Sequence, residues 1–170
     1  MSLWHYHTVR SDVKVDLDTI LFDAIVAKYR DRFVHEVGGT RRVFGSLCVP
    51  TAKGWVVSPR EKGEEFTSKD AVLVTDVCGD AVHVRGATKA TLNAPLLVRM
   101  CQKYPKATAI LHLHEQLPDV PIEPYAQPST MHDGNRIIPG PVFNIEHHGF
   151  IACLDHNLDI WDLSSDPLRL

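Results

Sequence analysis

The 170 residues hold no long apolar run, no basic tract and no CxxC pair, and each absence removes a class of function. Without about twenty consecutive apolar residues, no membrane-spanning helix is expected. The 18 Lys and Arg stand against 21 Asp and Glu, for a net charge of −3. They are scattered, and the one pair, Arg41-Arg42, is too small for a nucleic-acid footprint, so no nucleic-acid partner is expected. The opening Met1-Ser2-Leu3-Trp4-His5-Tyr6-His7 has neither a basic nor an apolar leader segment, which argues against a signal peptide. Cys48, Cys78, Cys101 and Cys153 have no zinc-knuckle or redox spacing and read as free thiols in a reducing compartment. A cytoplasmic protein with no membrane partner is the expectation. Repeats and low-complexity tracts are also missing.

What is present is ordinary globular composition, 44% hydrophobic and 23% charged, at a length suited to a single domain over 1–170. Residues 1–15 are expected to form a flexible arm. Leu17, Ile20, Leu21, Ala24, Ile25 and Phe33 recur near a 3.6 period, predicting a first helix over 17–34 capped by Asp16 or Asp18. Gly38-Gly39 reads as a break. Strands are predicted at Val43–Val49, Gly54–Ser58, Ala71–Asp76 and Ala81–Arg85, with a hairpin turn at Cys78-Gly79-Asp80 and a solvated loop over Glu61–Asp70. A second helix runs from an Asn93 cap to Tyr104, its apolar stripe being Leu96, Leu97, Met100 and Cys101. Residues 117–141 carry six of the eleven prolines and read as an irregular loop or lid. A strand over Val142–Cys153 and a short edge strand over Leu158–Leu163 follow. The pattern is α/β of the α+β type, with a mainly antiparallel central sheet flanked by helices.

The segment Thr108-Ala109-Ile110-Leu111-His112-Leu113-His114 reads as a strand, and alternate strand residues share a face. His112 and His114 therefore aim their imidazoles at one point. A third imidazole from His148, beside Gly149, would complete a three-His metal site with an open position, the usual plan for a catalytic zinc. Against this, the chain has ten His, and an HxH pair arises readily by chance. His5 and His7 form another such pair, at an unanchored terminus. His147 should point away from His148, and His35, His83, His132 and His156 have no partner that singles them out.

The series Gly45-Ser46-Leu47-Cys48-Val49, Trp55-Val56-Val57-Ser58-Pro59, Ala71-Val72-Leu73-Val74-Thr75-Asp76, Lys103-Tyr104-Pro105-Lys106-Ala107, Ala109–His114, Pro124-Tyr125-Ala126 and His147-His148-Gly149-Phe150-Ile151-Ala152-Cys153 resembles, in that order, the class II aldolase/adducin family. The resemblance runs from about residue 17 to 155. It implies a divalent metal on His112, His114 and His148, zinc first, with manganese, nickel and iron as alternatives. It implies Lewis-acid stabilisation of an enolate as a carbon–carbon bond breaks or a proton leaves. It also implies a small-molecule substrate and a homo-oligomer.

Three departures qualify what the resemblance implies. Where the family's aldolases carry an acid/base carboxylate, counting back from His112 reaches Asn93, whose amide cannot take a proton near neutral pH. The family's phosphate-binding Gly-Asn-x-Ser appears as Gly45-Ser46-Leu47-Cys48, its Thr-Pro-Ser/Thr-Gly turn as Ser58-Pro59-Arg60-Glu61, and its Ser-Ser pair as Thr91-Leu92. Much of a phosphate cradle is gone, although Arg60 or Lys62 could meet an anion. Finally, only Glu115–Glu123 separate HxH from Pro-Tyr-Ala, where the family has a further strand and helix.

Glu146, two residues before His148, is the preferred replacement for the missing acid, with Asn93 as a polar contact. The bland alternatives are a surface salt bridge and a helix cap. Ser46, Ser58, Arg60 and Tyr125 are the candidate substrate-binding residues. The reading favoured is a metal-dependent lyase or isomerase for a small hydroxycarbonyl or carboxylate compound. The alternative is a non-catalytic protein of the same fold, with a structural metal or an assembly role.

Overall fold

Short apolar segments punctuated by Gly and Pro build one wide sheet, whose two faces the helices cover. The computed structural model describes residues 5–11, 19–86 and 88–162. In chain order its strands are β1 (His7–Ser11), β2 (Val34–Val37), β3 (Thr40–Val43), β4 (Ser46–Thr51), β5 (Gly54–Val57), β6 (Val72–Cys78) and β7 (Ala81–Arg85). They continue with β8 (Ala109–Leu113), β9 (Ile122–Glu123), β10 (Val142–Ile145) and β11 (Gly149–Leu154). Its helices are α1 (Ile20–Phe33), α2 (Ala94–Lys103) and the single turn α3 (Met131–Gly134). None of the described helices is long and apolar enough to cross a membrane.

Nine strands form the main sheet in the order β1-β7-β6-β5-β4-β8-β11-β10-β9, and β2 and β3 form a separate hairpin. The inner pairings are antiparallel, but β1 lies parallel to β7 and β9 parallel to β10. The sheet is therefore mixed, where a mainly antiparallel one was expected. Both parallel pairings come from segments whose sequence reads as an arm and a loop. Of the arm expected over 1–15, the described residues 5–11 are held: His7–Ser11 add an edge strand to β7, and Tyr6 packs on Gly134 of α3.

Strand alternation divides the core. Cys48, Val57, Ile110, Ile151 and Cys153 face α2, whereas Leu47, Val56, Ala109, Leu111 and Phe150 face α1. His112 lies two residues after Ile110, directly opposite Ile151 and Ser46 on the neighbouring strands, so it belongs to the α2 face. Nearly all of α2 is buried, from Ala94 through Cys101, each large side chain contributing about 1.5–3 kcal/mol by leaving water. Cys48, Cys78, Cys101 and Cys153 are all free thiols. Cys48 and Cys101 meet beneath α2 with Sγ atoms 3.6 Å apart, and burial raises the Cys48 thiol well above its ordinary range.

The first helix buries Phe22, Ile25, Val26, Tyr29 and Phe33, a stripe rotated from the expected one: Ile20 and Ala24 are exposed. Phe22 and Tyr29 carry more apolar area than Ile20 and Ala24, and their spacing keeps the 3.6 period with Phe33. Leu17, Asp16 and Asp18 lie outside the described residues. The solvated loop over Glu61–Asp70 buries one residue, Phe66, edge-on to Phe33 with ring centroids 5.3 Å apart. The Pro-rich stretch is anchored. Asn144, buried, accepts the Leu117 N–H and donates to the Leu117 carbonyl, both at 2.9 Å. Arg99 of α2 donates to the carbonyls of Gly134 and Arg136 at 2.6 and 2.7 Å. Within the described part of Leu158–Leu163 there is no strand, only a bridge from Ile160 to Leu154, and Leu163 lies outside the described residues.

Two glycines let the strands close at one end of β8. Gly45 and Gly149 both sit at φ +102°, a conformation other L-residues rarely adopt. A Cβ on Gly45 would come 2.6 Å from the His112 carbonyl oxygen. On Gly149 it would come 2.0 Å from that of Leu113 and 2.8 Å from the His114 Cα. Gly149→Ala is therefore expected to lower unfolding free energy by about 3 kcal/mol or more. Urea denaturation reads this, and a variant within about 0.5 kcal/mol of wild type would contradict the close approach.

Candidate metal centre

Two segments converge where those glycines sit. His112 is the penultimate residue of β8, His114 follows its end, and His148 closes the β10–β11 turn. Their ring centroids are 4.7 Å (His112–His148), 4.9 Å (His114–His148) and 5.0 Å (His112–His114) apart. One ring nitrogen from each lies within 4.8 Å of the others. The expected convergence of the HxH pair with His148 is what the structure contains.

The hydrogen bonding fits these imidazoles to a metal. His112 is fully buried, and its Nδ1 lies 2.9 Å from the Phe150 carbonyl oxygen. That carbonyl can only accept, so Nδ1 carries the proton and Nε2 presents a lone pair. His112 Nε2 is buried without a partner, as is His148 Nδ1. Unsatisfied buried nitrogens are costly unless a ligand satisfies them. Three neutral imidazoles suit zinc and the divalent ions that share its ligand preferences.

Burial keeps the cluster neutral. It is the first cause that pushes His112 well below the ordinary imidazole value, with His148 and His114 adding to it against the Phe150 hydrogen bond. Burial, then His148, His35 and Lys62, bring His114 down to about 4. His148 is lowered by burial and by Arg136. The fixed charges acting on the trio are thus cationic.

Flanking side chains hold the imidazoles in place. Phe44 stacks on His114 with centroids 5.0 Å apart and planes 5° from parallel. Ser46, fully buried, stands opposite His112 in the sheet register. Asn93 donates weakly from Nδ2 to Ser46 Oγ at 3.5 Å, leaving its buried Oδ1 unpartnered. Asn93 holds the N-cap position of α2 but makes no side-chain capping bond, so its amide serves the site end of β4 instead. Tyr125 is half-exposed and edge-on to His148, with centroids 5.9 Å apart.

Other sequence candidates lie differently. Glu146 does not share a strand face with His148, because residues 146–148 form the turn between β10 and β11, with His147 at φ +60°. The Glu146 side chain is 59% exposed and pairs with His147 at 3.6 Å, which matches the salt-bridge alternative. Glu115 forms an ion pair with Arg32. Ser58 is buried, its hydroxyl accepting the Leu47 N–H at 3.0 Å. Arg60 is exposed and donates to the Ala90 carbonyl at 3.3 Å. His5 and His7 are tied to Ser129 and Asp80.

One residue at the site was missed. The β2–β3 hairpin brings His35 to a ring separation of 6.5 Å from His114 and 5.9 Å from Phe44. The signal was present: Gly38-Gly39, at φ +60° and +80°, is a two-residue hairpin turn between two short strands rather than a break.

No family model matches the sequence, and no curated protein matches it. Solved structures do share its fold. YgbL from Escherichia coli, whose activity is described only as aldolase, epimerase or decarboxylase, superposes with a TM-score of 0.57 at 15% identity over 77% of this chain and 75% of that one. The L-fuculose-1-phosphate aldolase of Thermus thermophilus gives 0.55 at 12% identity, over 82% and 78%. Another L-fuculose 1-phosphate aldolase gives 0.52 at 19%, over 66% and 65%. These neighbours are class II aldolase-family proteins, so the fold is the one the sequence resemblance implied.

A depressed imidazole binds its proton later in the folded than in the unfolded chain, so the metal-free protein loses stability as pH falls from 6.5 toward about 4. We expect the urea midpoint, measured with a chelator, to fall over that window. The fall should be shallower in His114→Gln. Identical pH profiles for the two proteins would contradict the burial argument.

Proposed function

We propose that the protein is a divalent-metal-dependent lyase of the aldolase or decarboxylase type, or an isomerase, acting on a small hydroxycarbonyl or carboxylate compound. The observation that carries this reading is the buried, unpartnered His112 Nε2, held toward two further neutral imidazoles by the Phe150 carbonyl. Zinc is the first candidate, with manganese, nickel and iron next. His112, His114 and His148 would hold the ion, which supplies Lewis-acid stabilisation of negative charge developing on a substrate oxygen.

The protein's own residues supply orientation and exclusion of water. The Phe150 carbonyl and the Phe44 ring fix two imidazoles, so little reorganisation is needed when substrate arrives. Asn93 Oδ1 is an acceptor for a substrate hydroxyl, and Tyr125 stands at the exposed edge beside His148. Ser46 sets the Asn93 amide. A homo-oligomer belongs to the same proposal. The absence of a carboxylate among the groups acting on the trio favours the second reading, a metal that serves stability alone.

Metal analysis of tag-free protein decides the first step. Near-stoichiometric divalent metal is expected in wild type, with a loss of at least about ten-fold in His112→Ala, since removing one ligand costs well over 1.4 kcal/mol. Wild type that stays metal-free after soaking in zinc would end the enzyme reading. If His148→Ala lowers the melting temperature while no hydroxycarbonyl substrate turns over in metal-loaded wild type, the structural reading replaces it.

A further inference from the structure

We propose that Arg136 is a positioning residue of the metal centre: through the Pro124 carbonyl it holds the Tyr125 ring against the His148 imidazole, where the ring covers substrate held on the metal. The inference rests on the metal-centre reading above. Tyr125 comes two residues after Glu123, the end of β9, and its ring stands edge-on to His148 with centroids 5.9 Å apart and planes at 74°. The ring is half-exposed, so packing alone does not fix it. A polar tether does. Arg136 donates from Nη1 to the Pro124 carbonyl at 2.9 Å. That carbonyl and the Tyr125 N–H lie in one rigid peptide plane, so the bond sets the direction from which the Tyr125 side chain departs. Among the described residues it is the one hydrogen bond made by residues 124–126.

The guanidinium is itself held. Its Nε and Nη2 donate to Asp133 Oδ1 at 3.2 and 2.8 Å, and the two side chains are 7% and 2% exposed. A buried ion pair of this kind is weak evidence of a role in stability, because desolvation offsets most of its attraction. Nor does α3 depend on it for anchorage. Thr130 caps that turn, its hydroxyl accepting the Asp133 N–H at 3.2 Å, and Arg99 ties the carbonyls of Gly134 and Arg136 to α2. What the Arg136 side chain alone holds is the Tyr125 peptide.

The segment before Tyr125 is fastened to the turn that carries His148. Ile122 and Glu123 pair with Asn144 and Ile145, and the Glu123 carbonyl accepts the Glu146 N–H at 2.9 Å. Ring and imidazole thus share one frame, and Arg136 removes the freedom left between them. An aromatic ring at this place gives apolar cover to a small molecule on the metal.

Metal content of the full chain is measured first, because a protein that holds no divalent ion overturns the metal reading and this inference with it. On zinc-loaded wild type, nuclear Overhauser contacts are expected between the Tyr125 and His148 rings. In Arg136→Gln they should vanish while those between His112 and His148 remain. The double change Asp133→Asn, Arg136→Gln strands no buried charge and serves if the single variant does not fold. Calorimetry with acetohydroxamate, a bidentate metal ligand, then reads affinity. Tyr125→Ala is expected to weaken its binding about ten-fold at unchanged metal content, and the Arg136 change to weaken it by a similar factor. Added to Tyr125→Ala, the Arg136 change should cost less than about two-fold more, because residues acting through one contact are not additive. A purely structural role would cost its full factor in either background. Absence of the Tyr125–His148 contact in wild type, its persistence in either Arg136 variant, unaltered acetohydroxamate binding in Tyr125→Ala, or full additivity would each overturn the positioning role while leaving the metal centre standing.

Discussion

The close approach of β4 and β11 to the end of β8 is the constraint on which the site depends. It exists because Gly45 and Gly149 occupy positions where a Cβ would collide with the backbone of residues 112–114. With that approach allowed, the Phe150 carbonyl meets His112 Nδ1, Ser46 faces His112 across the ladder, and the β10–β11 turn delivers His148. The HxH end of β8 and a turn far from it in sequence are thereby held together. Rigid elements of this kind keep ligands near one geometry, which a metal centre requires.

The electrostatics follow from the same packing. Imidazoles excluded from water by α2, Phe44 and the sheet lose the charged form first to desolvation and only second to one another. Neutral imidazoles are ready ligands, and the fixed charges around them are cationic.

Much of this was legible in the chain. The β8 and α2 segments followed from β-branched and apolar runs bounded by Pro105, and the Cys78-Gly79-Asp80 hairpin from its turn residues. Period two alone placed the two imidazoles of the HxH pair on one face, where the structure has them converge with His148. Glu146 misled because period two does not carry through a hairpin turn, where alternation stops. The α1 stripe is one step out of rotation because Ile20 is apolar yet exposed, and a one-dimensional pattern does not say which apolar residue the sheet will meet. His35 escaped notice because a Gly-Gly pair between short, weakly apolar segments reads equally as a break or as a hairpin turn.

By itself the sequence determined the central strands, the second helix, the α/β class and the three histidines that converge, since these rest on local periodicity, turn chemistry and residue identity. Through Asn93 and the Gly45 and Ser58 segments it also marked where the chain departs from the family pattern it resembles. The tertiary structure alone decided the parallel edge strands β1 and β9, the ring separations within the histidine trio, and the orphaned state of His112 Nε2 and Asn93 Oδ1. It alone placed His35 near His114 and left Glu146 in solvent. These depend on contacts between residues far apart in the chain, and on which polar atoms packing leaves without water.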